Sequence, residues 1–518
     1  MHKRRLVWAV SVLWLLCFLP AQAQGPLRFR VTLPKTVASH TLSGRLIVFM
    51  QAQTADNPTP PEHLGTGFIP GAVSMAATEL SALPPGGTVD FNPDTLAYPR
   101  PFSQEKPGSY YVMALLDTNH TYAYSSLGAG DLTSPVLTFA KIDPAQAGMV
   151  ALSLDRQTPA KPTPADTESV KGVEFASHAL TQFWGRPITM HAAVVLPPAS
   201  KSAGELPTVY HIHGFGGNDL SAWAEGPRLV QAMADGKEPP MVHIFLDGSL
   251  PTGHHGFADS VNNGPWGAAL TTEFIPYLEK KFRLTARPSA RFLTGHSSGG
   301  WSTLWLQVTY PDFFDGTWST APDPVDLRSF SGVNVTPGST DNFYTKADGT
   351  PRNLVRRNGK DIASIEEFAK QETVQGDYGG QFASFEWVWS PKGQDGRPLP
   401  LFNRVTGELS PTVERAWQKY DIRVILERHW QTLGPKLHNK LHLFCGADDT
   451  FHLNESLVYL KAFFDSVHGD ATCEIVPGRD HFTLYQPYTT YPQGLAHRIY
   501  AEMESSFQQK PLLFGKNK

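Results

Sequence analysis

Hydrophobic and polar positions along this chain follow two regimes, which meet at a proline-rich stretch. From Leu27 to about Leu154 the pattern is short and two-periodic. Leu27, Phe29, Val31 and Leu33 alternate with Arg28, Arg30 and Thr32, the mark of a strand with one wet face. Further apolar runs at 44–50, 110–116, 136–140 and 149–154 are parted by turn formers such as Pro84-Pro85-Gly86-Gly87. Short strands with this punctuation predict a small antiparallel β-sandwich of Ig-like kind over 26–156. The run Gln157-Thr158-Pro159-Ala160-Lys161-Pro162-Thr163-Pro164 reads as the core of a linker, 157–168.

From 169 to 518 strand and helix patterns alternate. Strands are predicted near 191–197, 207–213, 241–247, 289–294, 316–320, 440–445 and 472–476, with helices near 219–235, 265–283, 300–309, 453–467 and 492–507. That alternation predicts an α/β fold, a doubly wound sheet with helices on both faces. A long segment, about 326–437, interrupts it before the strand at 440–445 and reads as a cap insertion. It carries Phe343, Tyr344, Tyr378, Phe382, Phe385, Trp387 and Trp389. An amphipathic helix follows, with Ser410 as N-cap, Pro411 at N1, and Val413, Trp417, Tyr420 and Val424 on one face. The aromatics either roof the site or pack a small core of the insertion's own.

The chemistry-bearing motifs lie at strand ends. Arg291-Phe292-Leu293-Thr294 runs into Gly295-His296-Ser297-Ser298-Gly299-Gly300 and then a helix pattern. A strand, a tight turn and a helix thrust Ser297 out of the sheet, where a base can take its proton; glycines at 295 and 299 spare the crossing from collision. Downstream, the strand at 440–445 ends in Gly446-Ala447-Asp448-Asp449, and the strand at 472–476 leads into Pro477-Gly478-Arg479-Asp480-His481. Ser, then Asp, then His is the chain order of α/β-hydrolases rather than that of chymotrypsin-like or subtilisin-like proteases. His481 is then the expected base, oriented by an aspartate on the preceding turn. The strand at 207–213 ends in His213-Gly214-Phe215-Gly216-Gly217, a glycine-rich loop suited to lending a backbone N–H to an oxyanion. Phe215 and Ser298 are the expected donors. His211 and His213 are spaced like half a metal site, but strand alternation explains the spacing and no third ligand stands nearby, so no metal is expected. The loop from Asp247 to Trp266 follows a strand's C-terminal end. His255 and Trp266 from it, with Trp387 from the insertion, are the candidates for contact with substrate; the plainer reading is a well-capped loop.

From about Val170 onward the chain resembles bacterial esterases of the esterase D type, within the α/β-hydrolase superfamily. The likeness rests on the His213-Gly214 loop, the Gly295–Gly300 elbow, the Gly446-x-x-Asp449 turn and the Pro477–His481 segment. It implies a serine esterase with Ser297 as nucleophile, Asp449 as the acid, His481 as base and no cofactor. It implies little about substrate: an acylated polysaccharide, a feruloyl ester, a siderophore lactone and a simple short-chain ester all stay open. Two other readings compete. A serine peptidase of the prolyl-oligopeptidase type shares the elbow, but the leading 130 or so residues are too few for a propeller of ~40-residue blades. A glycan-binding protein with an inert hydrolase fold would not need the intact Ser-Asp-His order.

Charge and composition narrow the setting. A net charge of −4 with 18% charged residues gives no basic field for nucleic acid or an anionic membrane. His2-Lys3-Arg4-Arg5, an apolar run from Leu6 to Leu19 and Ala21-Gln22-Ala23 read as a cleavable signal, 1–23. A periplasmic or secreted enzyme without a stable membrane anchor is therefore expected, acting on a small-molecule or polysaccharide-linked ester. Of three cysteines the mature chain would keep Cys445 and Cys473, whose offset from their strand ends argues against a disulfide and for two buried thiols.

Overall fold

The computed structural model describes residues 25–201 and 204–509; the expected signal segment lies outside the described residues. The N-terminal part is built from two sheets. One places Arg28–Thr32 between Thr88–Phe91 and Met149–Ser153; the other is centred on Gly108–Asp117, Leu42–Ala52 and Val73–Leu83. Between them lies a core that includes Phe29, Val31, Val48, Phe91, Phe102 and Val112. One pairing departs from the antiparallel expectation: Arg28–Thr32 runs parallel to Met149–Ser153. Nearly the whole sandwich separates those two strands in the chain, so they need not meet as a hairpin.

Leu46-Ile47-Val48-Phe49-Met50 does not alternate, and the structure gives the reason. Its second face is covered as well, by Leu64 from a loop, by Tyr122 from the short helix Tyr122–Ser125 and by Val374 from the later insertion. Residues 158–167 have no regular structure and lead to the second part.

There, eight strands form one sheet: β1 (Val170–Ala176), β2 (Thr189–Val195), β3 (Thr208–Ile212), β4 (Val242–Leu246), β5 (Arg291–His296), β6 (Thr317–Thr320), β7 (Leu441–Gly446) and β8 (Thr472–Val476). Their order is β1-β2-β4-β3-β5-β6-β7-β8. β2 pairs antiparallel with both neighbours, and every pair from β4 to β8 is parallel. This is the α/β-hydrolase fold. Helices α1 (Ala222–Ala234), α2 (Ile275–Phe282) and α3 (Ser298–Thr309) follow β3, β4 and β5. The outer strand β1 and the short helix His178–Trp184 are absent from the pattern reading, because Val170-Lys171-Gly172-Val173 has too few apolar positions to stand out.

Between β6 and β7 the insertion forms α4 (Ile365–Gln375), α5 (Gln381–Trp389), α6 (Pro411–Trp417) and α7 (Ile422–Leu433). The single amphipathic helix expected after Ser410 is two helices. Asp421 caps the second by accepting from Val424 N at 3.1 Å, while the Ser410 side chain makes no cap bond. Val413, Trp417, Tyr420 and Val424 are nevertheless all buried. Trp389 packs against Trp301 of α3 and Trp417 of α6, with ring centroids 5.0 and 4.9 Å apart. The insertion thus shares one continuous core with the sheet instead of closing on itself. Helices α8 (Leu453–Ser466) and α9 (Leu495–Gln509) complete the coat. Cys445 and Cys473 are both free thiols on neighbouring strands, two residues out of register; Cys473 is only partly buried, since β8 is the edge strand.

Candidate active site

Every candidate catalytic residue sits where a strand ends on the same edge of the sheet. β5 turns into α3 at Ser297, which adopts φ 60° and ψ −123°, a conformation that L residues resist. Three backbone bonds hold it there. Ser297 N donates to Thr320 O at 3.0 Å, and Ser297 O accepts from Trp301 N and Asp323 N at 3.0 and 3.1 Å. A side chain at position 299 would collide with the carbonyl oxygen of Ile212 on β3. Only glycine lets the helix start that close to the strand. As the first residue of α3, Ser298 has no acceptor within the helix for its N–H.

The glycine-rich loop after β3 passes beside the serine: a Cβ placed on Gly214 would lie 3.2 Å from Ser297 Cβ. Phe215 occupies the next position, inside a turn closed by Gly217 N donating to Gly214 O at 3.1 Å. His213 braces this turn. Its Nδ1 lies 2.8 Å from Gly214 O and its Nε2 accepts from Gly248 N at 2.8 Å. That pattern assigns the neutral ring with the proton on Nδ1. His211 Nε2 is 2.9 Å from His243 Nδ1, buried against Phe245. Both histidines are thus engaged with protein partners, and no group of three or more His, Cys, Asp or Glu among the described residues is placed to hold a metal ion.

After β7, a side chain on Gly446 would strike Arg479 O, so the acid turn packs directly on the loop that carries His481. Asp449 is fully buried, and its Oδ2 lies 2.9 Å from His481 Nδ1. Its Oδ1 accepts from Phe451 N and Leu453 N at 2.9 and 3.2 Å. Burial pushes this carboxyl up, but the neighbouring His481 and these hydrogen bonds outweigh it and hold Asp449 below the ordinary carboxylate range. Asp448, its neighbour on the turn, is exposed; Asp449 braces the turn with its second oxygen. Arg356, from the insertion, donates to Asp449 O at 2.8 Å and Ala447 O at 3.2 Å and fixes the turn from outside.

Ser297 and His481 open onto one cavity of about 650 Å³. Its walls are largely aromatic: Phe330, Phe382 and Phe385 come from the insertion, Phe215 and Phe451 from the strand-end loops. The expected contact residues His255, Trp266 and Trp387 are not among its lining. His255 is wholly buried, its ring stacked 3.9 Å from that of Trp266. Trp387 stacks on Tyr378, and its Nε1 donates to Asp377 O. The loop that carries His255 and Trp266 is internal because it anchors α5: His254 N donates to Ser384 Oγ, and Asn262 Nδ2 to Ser390 O, both at 2.8 Å. The insertion's aromatics therefore divide, with Phe382 and Phe385 on the cavity and Trp387 and Trp389 in the core.

Two contributors escape a reading of the sequence. Asp323, just past β6, is buried on the cavity wall and accepts from Ser298 Oγ at 2.5 Å. Burial pushes its carboxyl up to about 6, against the pull of that hydrogen bond. Its place at the end of a central strand was the available signal. Phe68, from the N-terminal sandwich, also lines the cavity, and no motif marks it.

Residues 187–426 match the family model described as putative esterase. The match takes in the His213-Gly214 loop and Ser297 but stops short of Asp449 and His481. Among solved structures, the chain is similar to a ferulic acid esterase (15% identity, 64% of this chain and 99% of that one, TM-score 0.39). It is also similar to an S-formylglutathione hydrolase from Staphylococcus aureus (13%, 65% and 98%, TM-score 0.36). A third is a ferulic acid esterase from Anaeromyces mucronatus in complex with ferulic acid (14%, 67% and 94%, TM-score 0.34). The family match over residues 187–426 marks the chain as a carboxylic-ester hydrolase of α/β-hydrolase fold, similar there to the putative esterases.

Proposed function

We propose that the enzyme is exported and cleaves its ester through an acyl-enzyme on Ser297, with His481 as base and Asp449 as the acid that orients it. The observation carrying this reading is the 2.9 Å contact between His481 Nδ1 and Asp449 Oδ2, on the cavity that also holds Ser297. With Nδ1 engaged, Nε2 is the nitrogen left to take the Ser297 proton. Ser297 Oγ then bonds to the ester carbonyl carbon, and the negative oxygen is received by the N–H groups of Phe215 and Ser298. Collapse breaks the carbon–oxygen bond to the alcohol, which leaves with the proton from His481. Water, deprotonated by the same histidine, attacks the acyl-enzyme, releases the carboxylic acid and restores Ser297. Ester and water are consumed; acid and alcohol are formed.

Export rests on the basic head, the apolar run and the Ala21-Gln22-Ala23 site at the start of the chain. A fluorophosphonate probe tests the nucleophile: the wild-type protein is expected to be labelled and Ser297→Ala not. Labelling that persists in Ser297→Ala overturns the assignment. Hydrolysis of p-nitrophenyl acetate without cleavage of a prolyl-anilide separates the esterase from a peptidase.

A further inference from the structure

The N-terminal sandwich reaches the active site at two points, one on the cavity wall and one on the loop after β3. Residues 53–72 connect the strands Leu42–Ala52 and Val73–Leu83 without regular structure. Connections longer than about 12–15 residues are uncommon inside compact domains and are usually functional or disordered. This one is tied down along its length. Its Leu64 is buried, Thr66 N donates to Tyr122 Oη at 3.0 Å, and Gln371 Nε2 of α4 donates to Gly67 O at 3.0 Å. Phe68 is thereby held among Phe368, Phe215 and Phe451, at ring-centroid distances of 5.1, 5.5 and 5.8 Å. Despite these neighbours it remains 41% exposed, and the open part of its ring lines the cavity with Ser297. An aromatic side chain fixed by its neighbours and left half bare toward a catalytic cavity is a surface awaiting an apolar partner.

The second point is Tyr124. Its Oη donates to Gly217 O at 3.0 Å, and its ring packs edge-on to Phe215 at 4.8 Å. It thus grips the loop that would lend the Phe215 N–H.

We infer that the N-terminal sandwich is a working part of the active site. Phe68 is a specificity-determining wall that receives a bulky apolar group of the ester, and Tyr124 is a positioning residue for the oxyanion loop. Resting on the Ser297 reading, this extends it to the substrate class: esters whose acyl or alcohol part can fill an aromatic pocket shared by three segments of the chain.

The test uses the full chain with p-nitrophenyl acetate and p-nitrophenyl hexanoate. Phe68→Ala is expected to lower kcat/KM for the hexanoate about tenfold more than for the acetate, mainly through KM. Phe68→Leu, which keeps an apolar side chain at the packing site, should fall between, with an unfolding midpoint near that of wild type. Tyr124→Phe should lower kcat several-fold at little-changed KM, a split that loss of packing alone would not produce. Calorimetry in the Ser297→Ala background then separates pocket from chemistry: adding Phe68→Ala should weaken p-nitrophenyl hexanoate binding about tenfold, whichever residue attacks the ester. Equal losses on both esters, or unchanged affinity in that background, would overturn the proposal. Probe labelling of Ser297→Ala would overturn only the nucleophile assignment.

Discussion

At the scale of single residues, neighbours in sequence have opposite fates. Asp448 and Asp449 follow the same glycine on the same turn, yet one is exposed and the other fully buried against His481. The Gly446-x-x-Asp449 spacing had selected the second, and the turn shows why. Asp449 N closes it by donating to Gly446 O at 3.2 Å, and this directs the side chain inward across the sheet edge. Asp449→Asn should therefore lower turnover by roughly 10⁴, the scale seen when a triad acid can no longer hold its histidine in the right tautomer. Asp448→Asn should change it little. Steady-state rates on p-nitrophenyl acetate check the ranking, and the reverse order would move the acid back by one residue. Asp323 has no such sequence mark: its significance comes from the 2.5 Å bond to Ser298, which adjoins it only in space.

At the scale of elements, the insertion is where pattern reading and structure diverge most. Seven aromatics in one segment predicted a roof or a private core; the structure places some on the cavity and others in a core shared with the sheet. α5 explains the division, since its residues face two ways. Phe382 and Phe385 point to the cavity, and Trp389 points to Trp301 and Trp417. Trp387 and Trp389 are thus poor probes of specificity. Trp389→Ala should cost about 3–5 kcal/mol of stability, as large-to-small changes in a packed core do, with little change in preference between acyl chains. Phe385→Ala should change that preference, with a smaller loss of stability. Denaturant unfolding together with a series of p-nitrophenyl esters distinguishes the two; a specificity change confined to Trp389→Ala would contradict this division of labour.

At the scale of the whole molecule, the cavity and its pH response depend on burial that no local segment sets. Asp323 illustrates the sign. Its carboxyl is raised in the fold to about 6 from an ordinary value of 3.8, so the folded chain binds the proton more tightly than the unfolded one. That preference favours folding fully in acid, and it is lost as pH rises from about 4 through 6. Above that, keeping the charge buried costs on the order of 3 kcal/mol, at 1.36 kcal/mol per pKa unit. Asp323→Asn removes the charge, so its unfolding midpoint should exceed that of wild type at pH 8, with the difference shrinking toward pH 4. A constant difference across that range would show that the carboxyl is not the titrating group. Asp449 has the opposite sign: held below its ordinary range, it contributes stability at neutral pH that is lost only as pH falls through its lowered value.

Taken across these scales, what the sequence determined by itself was whatever depends on short-range order. The 2.0 and 3.6 periodicities located most strands and helices of the main sheet. Glycine spacing marked the turns that bring Ser297, the His213–Gly217 loop, Asp449 and His481 to strand ends. A parallel sheet gathers its C-terminal strand ends on one edge, so those motifs could be assigned to one site before any contact was known. Tertiary structure alone decided what faces that site. The strand Leu42–Ala52 lost its alternation because Leu64, Tyr122 and, from far later in the chain, Val374 cover its other face. His255 and Trp266 left the list of contact residues because their loop anchors α5, and Phe68 joined it because a loop of the sandwich reaches across to the cavity. Side chains distant in sequence meet only once the layers have packed, and periodicity within a segment carries no record of which layer will lie against it.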